Sequence, residues 1–162
     1  MGMCGNYIAV SEDELKAVQD GKAGIFELCE TEGRAATDID KAWEMMSFTF
    51  TGERFGMGTS SEYLVVPMII DQMLERYADE GINAYWLTQA QVKEAEAFLA
   101  DTDEAKLRSN FDHDELVANE VYGAEDGRAE EDFEYMKQYV FSLRDFYKKA
   151  AEENKAVIFW IC

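Results

Sequence analysis

The sequence predicts an α+β fold, a small sheet that includes the N- and C-terminal strands and packs against several helices. Three observations predict it. Short aromatic and β-branched runs stand at Tyr7 to Val10, Ala84 to Leu87 and Ala156 to Ile161. The first two of these run directly into residues that cap a helix, Ser11 with Glu14 and Thr88 with Gln91. The strongest amphipathic pattern, Phe133, Met136, Val140, Leu143, Tyr147 and Ala150, steps by three and four residues and predicts a long C-terminal helix as the spine of the core. A chain of 162 residues fits one domain spanning 1–162, and at that size folding buries roughly 70% of the unfolded surface.

Each element follows from local chemistry. In the capping box Ser11-Glu12-Asp13-Glu14, Ser11 and Glu14 each satisfy a free amide of the helix start. Gly21 and Gly24 interrupt that helix, and Ile25 to Cys29 resumes it as a short separate piece. Thr37 is the next expected N-cap, with Asp38 and Asp40 in a first turn where the helix dipole favours negative charge. Ile39, Ala42, Trp43, Met46 and Phe50 then recur at helical spacing up to Gly52.

Glu53 to Ser61 is rich in Gly, Ser and Thr and reads as a flexible loop. Pro67 lies inside the apolar run Leu64 to Ile70, so that run is either an edge strand or a loop leading into a helix over Ile70 to Ala78. The helix after Thr88 extends through Leu99, Asp101 or Thr102 caps a short helix to about Asn110, and Asp112 with Glu115 caps another. The all-apolar Ala156 to Ile161 must be a central strand, because an exposed edge of that composition would invite aggregation.

Charge excludes more than the motifs add. Thirty-four acidic residues stand against fifteen basic ones, a formal net charge of -19, and His113 is the single histidine. With ten Phe, eight Tyr and three Trp to fill a core, the acidity belongs to the surface of a packed body and not to a disordered chain. Such a surface repels nucleic acid and anionic membrane, and speeds encounter with a basic partner in a salt-dependent way. Cys4, Cys29 and Cys162 are odd in number, far apart and without CxxC spacing, which argues against a disulfide framework and a thiolate metal site and points to a reducing cytoplasm. The longest apolar runs are too short to span a bilayer. No signal peptide is expected before the first strand, and Asn6 breaks the myristoylation motif that Met1-Gly2 would open.

Candidate chemistry is sparse. Asp38, Asp40, Asp112 and Asp114 are carboxylates that, as two pairs, would hold a hard cation or divide into acid and base, yet each has a sufficient role at a helix start. His113 lies between two aspartates, as a general base or a solvent-facing residue at a helix start. Cys4 and Cys162 become neighbours if both terminal strands pair, and Cys4 is then redox active or a buried reduced thiol. The loop Gly56 to Ser61 lacks both phosphate-binding patterns. Nothing in the chain implies a metal or a cofactor.

Several segments together, Met1-Gly2-Met3-Cys4-Gly5-Asn6-Tyr7, Asp38-Ile39-Asp40-Lys41-Ala42-Trp43 with Phe50-Thr51-Gly52, Tyr85-Trp86-Leu87-Thr88, and Phe146 to Ala151 with Ala156 to Ile161, resemble the YfbM-like family of bacterial proteins. Asn110-Phe111-Asp112 and Val121-Tyr122 are similar to the family's Arg-Phe-Asp and Ile-Tyr-Pro segments. The resemblance covers nearly the whole chain and implies a single α+β domain of bacterial cytosolic origin, with no established reaction. The resemblance implies histidines just after the tryptophan in many members, where this chain has Glu44 and Ser47; if those imidazoles carry chemistry elsewhere in the family, this chain lacks them.

Two functions remain. One is a non-catalytic acidic module that docks a basic protein, as immunity proteins and anionic inhibitors do. The other is a small-molecule enzyme or sensor whose pocket is lined by Trp43, Trp86 and tyrosines such as Tyr122 and polarised by Asp38, Asp40 and Asp112. The charge favours the first, and a subunit of a homo-oligomer is a third possibility.

Overall fold

The computed structural model describes residues 2–162; Met1, which opens the first family-like segment, lies outside the described residues. Strands β1 (Gly5–Val10), β2 (Ala36–Asp38), β3 (Asn83–Leu87) and β4 (Ala156–Ile161) form one antiparallel sheet in the order β2-β1-β4-β3. Strand β4 is central, as its composition requires, and all six of its residues are buried. Its side chains alternate between two faces. Val157, Phe159 and Ile161 join Tyr7, Ala9 and Leu87 in one core cluster, while Ala156, Ile158 and Trp160 join Ile8, Val10 and Ala84 in another.

The second cluster is closed by α1 (Glu12–Gln19) and α2 (Ile25–Cys29), which contribute Leu15, Val18 and Ile25. The box that starts α1 forms as expected: the Glu14 amide donates to Ser11 Oγ at 3.1 Å and the Ser11 amide to Glu14 Oε1 at 2.9 Å. Glu14 also takes both ends of a fork from half-buried Arg34, whose hydrogen bonding holds the Glu14 carboxyl down to about 2.

The first cluster is closed by α3 (Trp43–Thr51), α4 (Gln89–Ala100) and α7 (Ala129–Glu152), with α5 (Glu104–Asn110) and α6 (His113–Ala118) at its edge. Helix α7, 24 residues and so about 36 Å long, presents Phe133, Met136, Val140, Leu143, Tyr147 and Ala150 to this core. The expected spine and the capping boxes are therefore in place.

Four expectations are corrected. Thr37 does not cap a helix; it lies in edge strand β2 opposite Tyr7, where ladder partners satisfy the amides a helix start would leave free. The expected apolar stripe is split there: Asp40–Ala42 is a 3-10 turn and the α-helix begins only at Trp43. Neither Asp101 nor Thr102 caps α5. Thr102 is buried with its hydroxyl on the Phe98 carbonyl at 2.9 Å, and Asp103, in extended conformation, accepts from the Lys106 amide at 2.8 Å.

No helix spans Ile70 to Ala78, where 3-10 turns stand at Ile70–Gln72 and Glu75–Glu80. The preceding run is an irregular buried segment, with Leu64, Val65, Val66, Met68 and Ile69 in the core. Buried irregular backbone requires partners for its carbonyls. Tyr7 donates its hydroxyl to the Val65 carbonyl at 2.9 Å and Tyr147 to the Leu64 carbonyl at 3.0 Å, and burial pushes both phenols upward. Tyr147→Phe removes the short bond to Leu64 and is expected to destabilise the fold by about 1–3 kcal/mol, read as a lower urea midpoint at unchanged slope.

Candidate functional site

Asp40 stands in the 3-10 turn where the sequence predicted the first turn of a helix. Its backbone has φ +44°, in the left-handed region that Asp and Asn enter more readily than other side chains. The conformation is held from three directions. The Asp40 amide donates to Asp38 Oδ1 at 3.2 Å, the Cys4 thiol donates to Asp40 Oδ1 at 3.2 Å, and the Tyr135 hydroxyl donates to Asp40 Oδ2 at 2.7 Å. Tyr135 itself accepts from the Lys41 amide at 3.1 Å.

The hydrogen bonds from Tyr135 and Cys4 hold the Asp40 carboxyl below its usual range, while burial, together with the bond to Asp40, pushes the Tyr135 phenol upward. Asp40 is therefore a fixed carboxylate. It opens onto a cleft of about 290 Å³ lined by Asp40, Lys41, Gly123, Glu125, Arg128, Asp132 and Tyr135. Of the two cations, Arg128 is already paired with Glu125 at 2.9 Å. Gly123, at φ +88°, lets its turn approach the Lys41 carbonyl, since a Cβ there would stand 3.3 Å from that oxygen.

The inner wall is Asp132, buried on the first turn of α7. Its Oδ2 faces His113 Nε2 at 2.9 Å and accepts from the Glu125 amide at 3.0 Å. His113 is thus tied inward, with a side chain only 10% exposed. Beside the cleft an aromatic rim continues outward. Trp43 lies 5.9 Å from Tyr122 and 6.4 Å from Phe55 between ring centroids, donates from Nε1 to the Met3 carbonyl at 3.0 Å, and Tyr122 accepts from the Met3 amide at 3.0 Å. Met3 and Phe55 remain about half exposed, at 47% and 53%.

Of the residues singled out from sequence, Asp38, Asp40, Trp43 and Tyr122 gather in and around this cleft, and His113 reaches it through Asp132. Trp86 does not join them: it packs with the second core cluster, across the sheet from Trp43. Asp112 is exposed and caps α6 by accepting from the Glu115 amide at 3.1 Å, and Asp114 is exposed in that helix's first turn. Among the described residues no group of three His, Cys, Asp or Glu is placed to hold a metal ion.

Two buried acids escaped the sequence reading. Asp132 stands four residues before Met136 on the buried stripe of α7, and that spacing is the signal that could have found it. Glu44 accepts from Arg54 Nε at 2.7 Å and the Tyr122 amide at 2.8 Å, joining α3 to the cleft loop. Its signal was a lone carboxylate inside the apolar run Trp43–Met46.

A family model described as a domain of unknown function, DUF1877, matches residues 1–160. The chain belongs to the DUF1877 family. The crystal structure of YfbM from Escherichia coli, a protein of unknown function, resembles this DUF1877 chain with a TM-score of 0.76 at 16% identity, over 98% of this chain and 99% of that one. At that identity the likeness shows the fold alone. No curated protein matches the chain, and among the described residues no helix is long and apolar enough to cross a membrane.

Tyr135→Phe removes the shorter donor to Asp40. The Asp40 carboxyl is expected to titrate at higher pH in the variant, followed by carboxyl ¹³C shifts. Since the folded value is depressed, its contribution to stability is present above the ordinary carboxylate range and lost as pH falls through the folded value; the variant loses it earlier in an acid titration.

Proposed function

We propose that this chain is a binding module for a basic protein, and that a single cationic side chain of the partner enters the cleft beside Asp40. The observation that carries the reading is the Asp40 carboxylate, kept ionised and aimed by Cys4 and Tyr135 in a backbone conformation uncommon for a residue with a side chain. Orientation before binding lowers the entropic penalty of association. The other cleft acids add to the attraction, and a surface of net charge -19 steers a basic partner toward it. Met3 and Phe55 supply exposed apolar area beside the charge, the combination that anchors protein interfaces.

The size of the cleft supports this reading. At about 290 Å³ the cleft lies at the lower limit of ligand-sized pockets, which run from about 300 to 1,000 Å³, and suits one lysine or arginine side chain. Trp86, expected to line an aromatic pocket with Trp43, belongs to the other face of the sheet.

Native mass spectrometry of the protein isolated gently from its host tests the reading. A co-purifying basic polypeptide that dissociates as salt rises is expected. Asp40→Asn, which tolerates the left-handed backbone while removing the charge, is expected to weaken that complex by roughly 10- to 150-fold, the equivalent of about 1.5–3 kcal/mol for a charge-assisted hydrogen bond. A complex indifferent to salt and to Asp40→Asn, or a small ligand bound to a bare monomer, would overturn it.

A further inference from the structure

The β1–β4 ladder continues one residue beyond the strands themselves. Its register pairs Gly5 with Ile161, so the next pair is Cys4 with Cys162. These two exchange both backbone hydrogen bonds, the Cys4 amide to the Cys162 carbonyl at 2.7 Å and the Cys162 amide to the Cys4 carbonyl at 3.1 Å. Residues so paired have Cα atoms about 5.5 Å apart and side chains on the same face of the sheet, inside the roughly 4.4–6.8 Å that a disulfide spans. Both thiols are free; Cys162 is exposed and Cys4 half-buried. Asn6 marks the shared face, reaching the Cys4 carbonyl at 3.0 Å and Cys162 Sγ at 3.6 Å from its Nδ2.

We propose that Cys4 and Cys162 are a reversible thiol–disulfide pair that low-molecular-weight disulfides oxidise. The exposed Cys162, as thiolate, attacks the disulfide RSSR and releases one RS⁻; Cys4, on losing its proton, attacks the mixed disulfide at Cys162 Sγ and releases the second. The protein loses two protons and two electrons, and one RSSR becomes two RSH. Opposed Cβ atoms of a strand pair lie about 4.5–5.5 Å apart, against about 3.8 Å in a disulfide. Closing the bridge therefore draws the strand ends together, and a bridge that is both strained and exposed is readily reduced. That suits a switch in a reducing compartment better than a permanent staple.

The pair is wired to the cleft. The hydrogen that Cys4 donates to Asp40 Oδ1 is the one lost in the bridge, so oxidation removes one of the two side-chain donors on that carboxylate. The bridge stands independently of the binding reading.

The test is incubation of the folded protein with oxidised glutathione, in wild type and in Cys29→Ser, which removes the other exposed thiol. The Cys29→Ser chain is expected to become two hydrogens lighter and refuse an alkylating agent. Proteolysis should then yield a single cross-linked species joining the peptides of Cys4 and Cys162, and dithiothreitol should restore both thiols. In urea, where the ladder is lost, the bridge should form in lower yield. Glutathione carried separately on Cys4 and Cys162, two thiols that remain alkylatable, or equal yield in urea would overturn the proposal.

Discussion

Strand β4 sets the terms for everything around it. Six consecutive apolar residues with no exposed face need a hydrogen-bonding neighbour on each side and a packed layer above and below. Strands β1 and β3 meet the first need, and the two core clusters meet the second. The helices thus divide between the faces of the sheet. The small helices α1 and α2 cover the side of Ile158 and Trp160, and the long α7 with α3 and α4 covers the side of Val157 and Phe159.

Acidity is distributed under the same constraint. Nearly all carboxylates sit outside, where mutual repulsion is screened. Glu44 and Asp132 are the buried acids of the described residues, and both are satisfied by hydrogen bonds, Glu44 by Arg54 and a backbone amide, Asp132 by a backbone amide and His113. Both support the loop that walls the cleft. Burying a carboxylate is tolerable only with such partners, so each serves to hold the loop in place.

What could be read from sequence was whatever local pattern controls. Ser11 with Glu14, Thr88 with Gln91 and the stripe of α7 depend on neighbours within a turn or two, and they form as expected. Strand β2 was hidden because Ala36-Thr37-Asp38 is short, lies at the sheet edge and exposes two of its three residues, leaving no period to detect. The segment Leu64–Ile69 was ambiguous because its backbone is satisfied by phenols from Tyr7 and Tyr147, far away in sequence. The site shows the same division. Asp40, Trp43 and Tyr122 were recognisable as residue types, but the bonds from Cys4 and Tyr135 that aim Asp40 arise only once β1 and α7 are packed.

The antiparallel ladder that joins Gly5 to Ile161 also governs the order in which the molecule can assemble. Of the four strands β1 is made first, yet its longer partner β4 is made after every other element of the sheet. Until then β1 has only the three-residue β2 beside it, and β3, whose main partner is also β4, must wait as well. Such distant pairing slows folding and leaves apolar edges open during synthesis. The nascent chain is therefore most vulnerable to aggregation just before its final strand arrives, and the high acidic charge then keeps neighbouring chains apart.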